Sequence, residues 1–201
     1  SLEGETFDRL MPLIISEQNI LLAYRNICKN GGSKTPGTDG ETIEHIHRLS
    51  VDEVIRKVRN KLRYYQPRRV RRTEIPKDNG KMRPLGIPSI WDRLIQQCIL
   101  QILEPICEAK FHERNNGFRP YRSTQNAIAQ CYKMAQLQNL HFVVDVDIVG
   151  FFDNIDHNKL IHQLWGLGIQ DRKLIVIIKQ MLKAEILFKD IIIEPETGTP
   201  Q

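Results

Sequence analysis

The sequence lacks long hydrophobic runs. Its longest uninterrupted apolar stretches, such as residues 174–178, are only five residues long, whereas a transmembrane helix requires about 20 apolar residues. The first ten residues mix three acidic side chains and Arg9 with scattered apolar ones, which is not the pattern of a secretory signal peptide. We therefore expect a protein that has no membrane partner and is not secreted.

Cysteine is scarce and lacks metal-binding spacing. The four cysteines, Cys28, Cys98, Cys107 and Cys131, stand far apart, and no two of them form a Cys-x-x-Cys pair. A structural zinc site requires closer spacing, with histidines nearby. Each cysteine falls within a helical pattern, so we expect four buried, reduced thiols and a reducing compartment.

Acidic side chains are missing from one part of the chain. Residues 56–72 contain none, and residues 56–93 carry thirteen Lys and Arg against three acids, which gives +10 and leaves −5 for the remainder. Such segregation indicates a surface for a polyanion. A solvated helix face is the alternative, but such a face usually mixes both signs. Tyr64 and Tyr65 interleave the charges, as a stacking surface for nucleic acid requires.

Two aspartates stand in an otherwise apolar segment, residues 142–148. The β-branched and aromatic residues there predict a strand, in which successive side chains alternate between faces. The apolar residues at even positions would then face a core, while Asp145 and Asp147 share the other face. Paired carboxylates are costly to bury without a cation. The pattern therefore predicts a Mg²⁺ site and phosphoryl-transfer chemistry.

Two other interpretations use the same aspartates. Asp145-Val146-Asp147 is also a D-x-D sequence, with which glycosyltransferases hold Mn²⁺ and a nucleotide sugar, although the basic segment would have no obvious task in such an enzyme. The second alternative is a pair of solvated aspartates at a strand end.

Helical and strand patterns alternate irregularly along the chain, which predicts an α+β fold. Capping residues predict helix starts at Ser16, at Ser50, at Ser89, and at either Ser123 or Thr124. Residues 68–75 and 82–87 read as two strands joined by a hairpin turn at 77–81. Further helices are expected from residue 156 and over 171–183, and more strand material over 186–193.

Four sequence blocks occur in an order that resembles group II intron-encoded reverse transcriptases, or maturases. They are Thr-Pro-Gly-Thr-Asp-Gly at 35–40, Ile-Pro-Lys at 75–77 with Gly-Lys-Met-Arg-Pro-Leu-Gly-Ile-Pro at 80–88, Gly-Phe-Arg-Pro-Tyr-Arg-Ser at 117–123, and Val-Asp-Val-Asp-Ile-Val-Gly-Phe-Phe-Asp-Asn-Ile at 144–155.

The resemblance implies an α+β, right-hand polymerase fold: fingers and a partial palm with a helical N-terminal extension. Residues 1–48 would be the extension, 49–140 the fingers with adjoining palm helices, and 141–201 a palm portion truncated before a Tyr-Ala-Asp-Asp hairpin. The implied function is that of an RNA-directed DNA polymerase, which binds intron RNA, assists splicing and supports retrohoming by cDNA synthesis. This chain alone would be inactive.

The resemblance also implies roles for individual residues. Asp147 would be the catalytic carboxylate, with Asp145 the second candidate, and Asp147 and Ile148 would lie at the metal. The cofactor would be Mg²⁺ in a two-metal site that residues beyond this chain complete. Nucleotide contacts are expected from Lys77, Arg83, Arg93, Arg71, Phe151 and Phe152. One of the two phenylalanines would face the sugar and exclude ribonucleotides, while the other would belong to the core; the family position favours Phe151 as the sugar contact and Phe152 as the core residue.

Other basic residues are expected on nucleic acid rather than on the nucleotide. Arg119 and Arg122 flank a helix N-terminus, whose free amides favour phosphate. The full expected set is Arg63, Arg68, Arg69, Arg72, Lys81, Arg119 and Arg122.

The implied partners are group II intron RNA, an RNA template with a DNA primer, and dNTPs; a homodimer stays open. The implied compartment is the bacterial cytoplasm or an organelle. Two alternatives remain beside the intron enzyme: a retron or CRISPR-associated reverse transcriptase, and an RNA-binding splicing cofactor without polymerase activity.

Overall fold

The computed structural model describes residues 4–76, 80 and 82–199. Its helices and strands combine into an α+β fold, as the sequence predicts. The helices in these residues are α1 Met11–Ile14, α2 Glu17–Lys29, α3 Ile43–His47, α4 Val51–Arg63, α5 Ile90–Glu108, α6 Thr124–Leu137, α7 His157–Gly166 and α8 Arg172–Leu182. The strands are β1 Val70–Pro76, β2 Met82–Ile87, β3 Ile186–Phe188 and β4 Ile191–Ile193, and two 3₁₀ turns cover Gly31–Lys34 and Phe151–Asn154.

Serine caps start four of the helices where the sequence predicts. The Ser50 hydroxyl accepts from the Glu53 amide, while the Glu53 carboxylate accepts from the Ser50 amide at 2.8 Å. These hydrogen bonds hold the pKa of Glu53 below its usual range. Ser16, Ser89 and Ser123 accept from the third following amide in the same way, which satisfies donors that the first helical turn leaves free.

The strands form one mixed sheet in the order β2-β1-β3-β4. β1 and β2 make the predicted antiparallel ribbon, from Arg71 opposite Ile87 to Pro76 opposite Met82. β1 also pairs in parallel with β3. The predicted strand material at 186–193 is a tight hairpin, because Lys189 and Asp190 both adopt positive φ, as a two-residue turn requires.

A helical core draws residues from all parts of the chain. α2 packs against α5, and α1, α4 and α8 contribute apolar side chains to the same cluster. Its fully buried members include Ile14, Ile20, Ile46, Val58, Leu94 and Leu174. Among the described residues, no helix is long and apolar enough to cross a bilayer.

The buried carboxylate of Asp171 ties the N-terminal segment to α8. One carboxylate oxygen accepts from the Leu10 and Met11 amides at 2.8 and 2.9 Å. The other accepts from the Lys173 and Leu174 amides at 3.0 and 3.2 Å. Asp171 therefore caps its own helix and also hydrogen-bonds to an N-terminal segment that is more than 150 residues away in sequence.

Three sequence-based expectations are wrong within the described residues. Residues 140–148 form no strand, and Phe142 and Val144, expected in a core, are 99% and 86% exposed. A strand requires a hydrogen-bonded neighbour, and no described segment pairs with this one. The apolar face of α6 is likewise uncovered, with no buried residue, which leaves Cys131 exposed.

The cysteines differ in burial more than their shared helical pattern suggests. Cys98 is buried, and burial raises the pKa of its thiol to about 12. Cys28 and Cys107 are half-buried. All four are free thiols, as expected.

We expect Asp171→Ala to lower the free energy of unfolding of the 201-residue chain by about 2–4 kcal/mol, because four amides lose a buried acceptor. Asp156→Ala is the matched control, since Asp156 caps only its own helix, through the Lys159 amide. Urea denaturation measures both, and amide hydrogen exchange should rise at Leu10 and Met11 in the Asp171 variant alone. Equal losses in the two variants would contradict the long-range link.

Candidate functional site

The turn after the predicted strand presents two aromatic side chains. Gly150 adopts φ +57, and the Asn154 side-chain amide donates to the Gly150 carbonyl at 3.0 Å and to the Val149 carbonyl at 3.3 Å. These bonds close the turn that begins the Phe151–Asn154 segment. This tight turn places the side chains of Phe151 and Phe152 next to each other.

Phe151 and Phe152 are both accessible. Phe151 is 49% and Phe152 36% exposed. Their rings meet edge to face with centroids 5.5 Å apart, and Phe118 contacts Phe152 at 6.0 Å. The expectation that Phe152 belongs to a core is therefore wrong in the described structure, because Phe118, the other aromatic packed on it, is itself exposed.

Residues 197–199 are hydrogen-bonded along this turn. The Gly198 amide donates to the Ile155 carbonyl and the Thr199 amide to the Phe152 carbonyl, each at 2.8 Å. Gly198 has φ +84, and a Cβ there would lie 2.8 Å from the Asp153 carbonyl oxygen. Only glycine permits so close an approach.

A cavity of about 460 Å³ separates this segment from the β-ribbon. Arg72 and Gly86 line it from the ribbon, and Asp153, Gly198 and Thr199 line it from the opposite side. One cation and several carboxylates, those of Asp153, Glu194 and Glu196, therefore face a common space. The structure thus brings the predicted basic ribbon and Asp153 of the aromatic turn to the same cavity, whereas Phe151 and Phe152 are not among the described residues that line it.

Asp145 and Asp147 lie in the exposed segment that leads into the turn. Neither forms a hydrogen bond or ion pair within the described part of the chain, and Ile148 is exposed beside them. Their carboxylate oxygens are of the donor type that Mg²⁺ prefers. No group of three or more potential ligands occurs among the described residues, so these two residues fit part of a magnesium site rather than a whole one.

Two arginines expected at the nucleotide hydrogen-bond to the loop of residues 31–39. Arg93 donates to the Gly32 and Thr35 carbonyls at 2.7 and 2.6 Å, and burial lowers its pKa. Arg71 donates to the Pro36 carbonyl at 3.1 Å. The backbone of this loop accepts both guanidinium groups, which binds the N-terminal residues to the ribbon and to α5.

Two arginines expected on nucleic acid also have protein partners. Arg119 donates to both carboxylate oxygens of Glu108 and to the His112 and Asn115 carbonyls, and its side chain is only 6% exposed. This pairing holds the pKa of Glu108 below its usual range. Arg119 therefore stabilises its loop, because four of its five N–H donors are engaged by protein oxygens. Arg69 pairs with Glu185 at 2.5 Å.

Three other expected contacts, those of Arg63, Arg68 and Arg122, are more available. Arg63 and Arg122 are exposed, and Arg68 has only a 3.7 Å approach to Asp39. Arg83 lies on β2 opposite Ile75. Lys77 and Lys81 lie outside the described residues.

Sequence reasoning missed the buried carboxylate that fixes the ribbon. Asp92 accepts from the Tyr65 hydroxyl and the Arg68 amide, each at 3.0 Å, and from the Ser89 hydroxyl at 2.7 Å. Tyr65 is therefore buried and does not stack on nucleic acid; burial raises its pKa far above the usual range. Tyr65 lies two residues beyond the end of α4 at Arg63, so helical spacing does not mark it as a core residue.

The α+β scaffold is that of polymerase fingers with part of a palm. A family model of the reverse transcriptases (RNA-dependent DNA polymerases) matches residues 75–201, and the chain belongs to this family. The family implies nucleic-acid partners, and its members typically use divalent metals.

Relatives extend the likeness over nearly the whole chain. The group II intron-encoded protein LtrA of Lactococcus lactis subsp. cremoris is 37% identical over 198 residues, 98% of this chain and 32% of LtrA. Protein YkfC of Escherichia coli K12 is 33% identical over 96% of this chain and 51% of its own length. A solved partial Cas6-RT-Cas1--Cas2 complex superposes with TM-score 0.59 at 26% identity, covering 98% of this chain and 32% of that one. The chain thus spans about a third to a half of these relatives.

We expect neutralisation of three available arginines to weaken RNA binding by the 201-residue chain. Each phosphate contact releases counterions, so the slope of log affinity against log salt should fall by about 2 for three lost contacts to single-stranded RNA. The substitutions are Arg63→Gln, Arg68→Gln and Arg72→Gln. A matched control neutralises three exposed charges on α7 and α8: Lys159→Gln, Arg172→Gln and Lys173→Gln.

Binding titrations at several salt concentrations measure both slopes. An unchanged slope in the arginine variant, or an equal change in the control, would show that the ribbon is not the RNA surface.

Proposed function

We propose that this chain is the fingers and palm portion of an RNA-directed DNA polymerase encoded by a group II intron. The observation that carries the proposal is the shared cavity: the basic ribbon bounds one side, and Asp153 of the aromatic turn bounds the other together with Gly198 and Thr199. The likeness to LtrA over 98% of the chain supports the intron assignment. Residues 1–48 act as the N-terminal extension, 49–140 as fingers with adjoining palm helices, and 141–201 as palm.

The cavity and the ribbon next to it hold the incoming dNTP. Positive charge from Arg72, Arg83 and Lys77 compensates the triphosphate, which brings dense negative charge into one pocket. Phe151 stands at the sugar and excludes a 2′-hydroxyl. Arg71 and Arg93 act indirectly, because they fix the loop of residues 31–39 against the ribbon.

Asp147 and Ile148 would hold Mg²⁺, with Asp145 as a further carboxylate close in sequence. The metal, when bound, lowers the pKa of the primer 3′-hydroxyl and neutralises charge on the transferring phosphate. The remaining ligands come from residues outside this chain, which covers only about a third of LtrA. Strands from the same region pair with residues 142–148 and cover the apolar face of α6.

Template, primer and intron RNA contact the basic face. Arg63 and Arg68 bind the phosphate backbone beside the cavity, and Arg122 does so near the start of α6. Such contacts position the nucleic acid without reading its sequence. The full-length protein works where intron RNA is made, in a bacterial cytoplasm or an organelle.

A CRISPR-associated reverse transcriptase is the second candidate, supported by the superposition on the Cas6-RT-Cas1--Cas2 complex. A splicing assay separates the two. The full-length protein should accelerate splicing of the intron that encodes it, and failure to do so while primer extension is intact would favour the second candidate.

Asp147→Asn in the full-length protein should reduce primer extension by about 10³-fold or more, because a lost metal ligand forfeits several kcal/mol of transition-state stabilisation. Asp145→Asn should have the smaller effect. RNA binding should stay unchanged in both variants, since neither carboxylate contacts RNA. If primer extension survives in the Asp147 variant and is lost in the Asp145 variant, then Asp145 is the catalytic carboxylate and the assignment made here is wrong.

Phe151→Val should raise ribonucleotide incorporation relative to deoxyribonucleotide incorporation roughly tenfold, because the smaller side chain leaves space beside the sugar C2′. Phe152→Val is the matched control, since it removes the same volume from the same turn. Single-nucleotide extension with dNTP and rNTP measures the ratio. A larger shift in the Phe152 variant would assign the sugar contact to that residue.

A further inference from the structure

A buried histidine, His157, hydrogen-bonds to Gly198, one of the residues that line the cavity. His157 is the first residue of α7, and its side chain is buried. Its Nε2 lies 2.7 Å from the Gly198 carbonyl oxygen. Because a carbonyl oxygen only accepts, Nε2 carries the hydrogen. Neither the sequence pattern nor the proposed chemistry uses this residue.

The bond completes the restraint on Gly198. The Gly198 and Thr199 amides donate to the turn on one side, and the Thr197 hydroxyl donates to the Asp153 carbonyl at 3.1 Å. His157 donates to the Gly198 carbonyl, which none of these other contacts engages. Gly198 has no side chain with which to pack, so its backbone hydrogen bonds fix its position relative to the turn of residues 151–154.

The ring itself is held at a fixed place. The Asp156 carboxylate accepts from the Lys159 amide at 2.8 Å and caps α7, and Asp156 pairs with Thr197 in an isolated antiparallel bridge. The helix start and residues 197–199 thus contact each other through backbone and side chain together. A change in the imidazole contact would move the cavity wall relative to Phe151.

We propose that His157 is a positioning residue for the nucleotide: it sets the distance between the 197–199 wall and the Phe151–Phe152 turn, and thereby tunes dNTP affinity and sugar discrimination. The proposal rests on the proposed polymerase function. His157 touches neither the nucleotide nor the metal in this assignment, and it acts only through the Gly198 carbonyl.

The test uses three variants of the full-length protein. His157→Leu introduces an apolar side chain of similar size and removes the N–H donor. His157→Gln instead keeps an N–H donor at about the same distance from the backbone. His162→Leu is the matched control, since His162 is exposed on the same helix. The measurements are KM and kcat for dNTP, the rNTP-to-dNTP incorporation ratio, and amide hydrogen exchange at Gly198 and Thr199.

We expect His157→Leu to raise the KM for dNTP about tenfold, in line with the loss of one buried hydrogen bond. It should raise ribonucleotide incorporation and speed exchange at Gly198 and Thr199, with a smaller change in kcat. His157→Gln should restore most of each value, and His162→Leu should change none.

Two results would overturn the proposal. One is a His157→Leu enzyme whose melting temperature falls while its KM, incorporation ratio and exchange at Gly198 and Thr199 stay unchanged, which marks a purely structural histidine. The other is equal damage in the Gln and Leu variants, which excludes the donor as the cause. A wild-type protein that extends no primer would instead contradict the proposed function, and the exchange measurement would then still decide whether His157 holds Gly198.

Discussion

Parallel pairing between β1 and β3 is the constraint on which the site depends. Two residue pairs make it, Val70 with Ile186 and Arg71 with Leu187, and the Val70 amide adds a 2.7 Å bond to the Glu185 carbonyl. Residues more than 110 positions apart meet there, and the Arg69–Glu185 ion pair lies at the same place. Without this pairing the basic ribbon would face solvent, and the cavity would have no second wall.

The arginines expected to contact the nucleotide or nucleic acid divide into two groups by their partners. Arg71, Arg93 and Arg119 donate to carbonyl or carboxylate oxygens of the protein itself, so they shape loops. Arg63 and Arg72 have no such partner in the described residues, so their charge stays available to a polyanion. A buried carboxylate, Asp92, accepts from the Arg68 amide and so fixes where the ribbon begins.

Local features could be predicted from the sequence, and features that depend on distant partners could not. The partners in the Ser50–Glu53 capping box are three residues apart, and the two strands of the antiparallel ribbon follow each other along the chain. Sequence spacing alone therefore reveals both features. The strand at 142–148 and the inner face of α6 require neighbours that no described segment supplies. Arg119 reads as a phosphate contact because its partner, Glu108, lies eleven residues away with no pattern to link them. His157 has no signal at all until Gly198 is placed beside it.

The central claim is that residues 142–148 carry the metal-binding aspartates on a strand whose partners lie elsewhere in the full-length protein. Amide hydrogen exchange of this segment, measured in the 201-residue chain and in the full-length protein, tests it most directly. We expect fast exchange in the chain alone, because its amides are unpaired, and slowing by several orders of magnitude in the full-length protein, where strand pairing protects them. Fast exchange in both would contradict the claim and remove the structural basis for a metal site at Asp147.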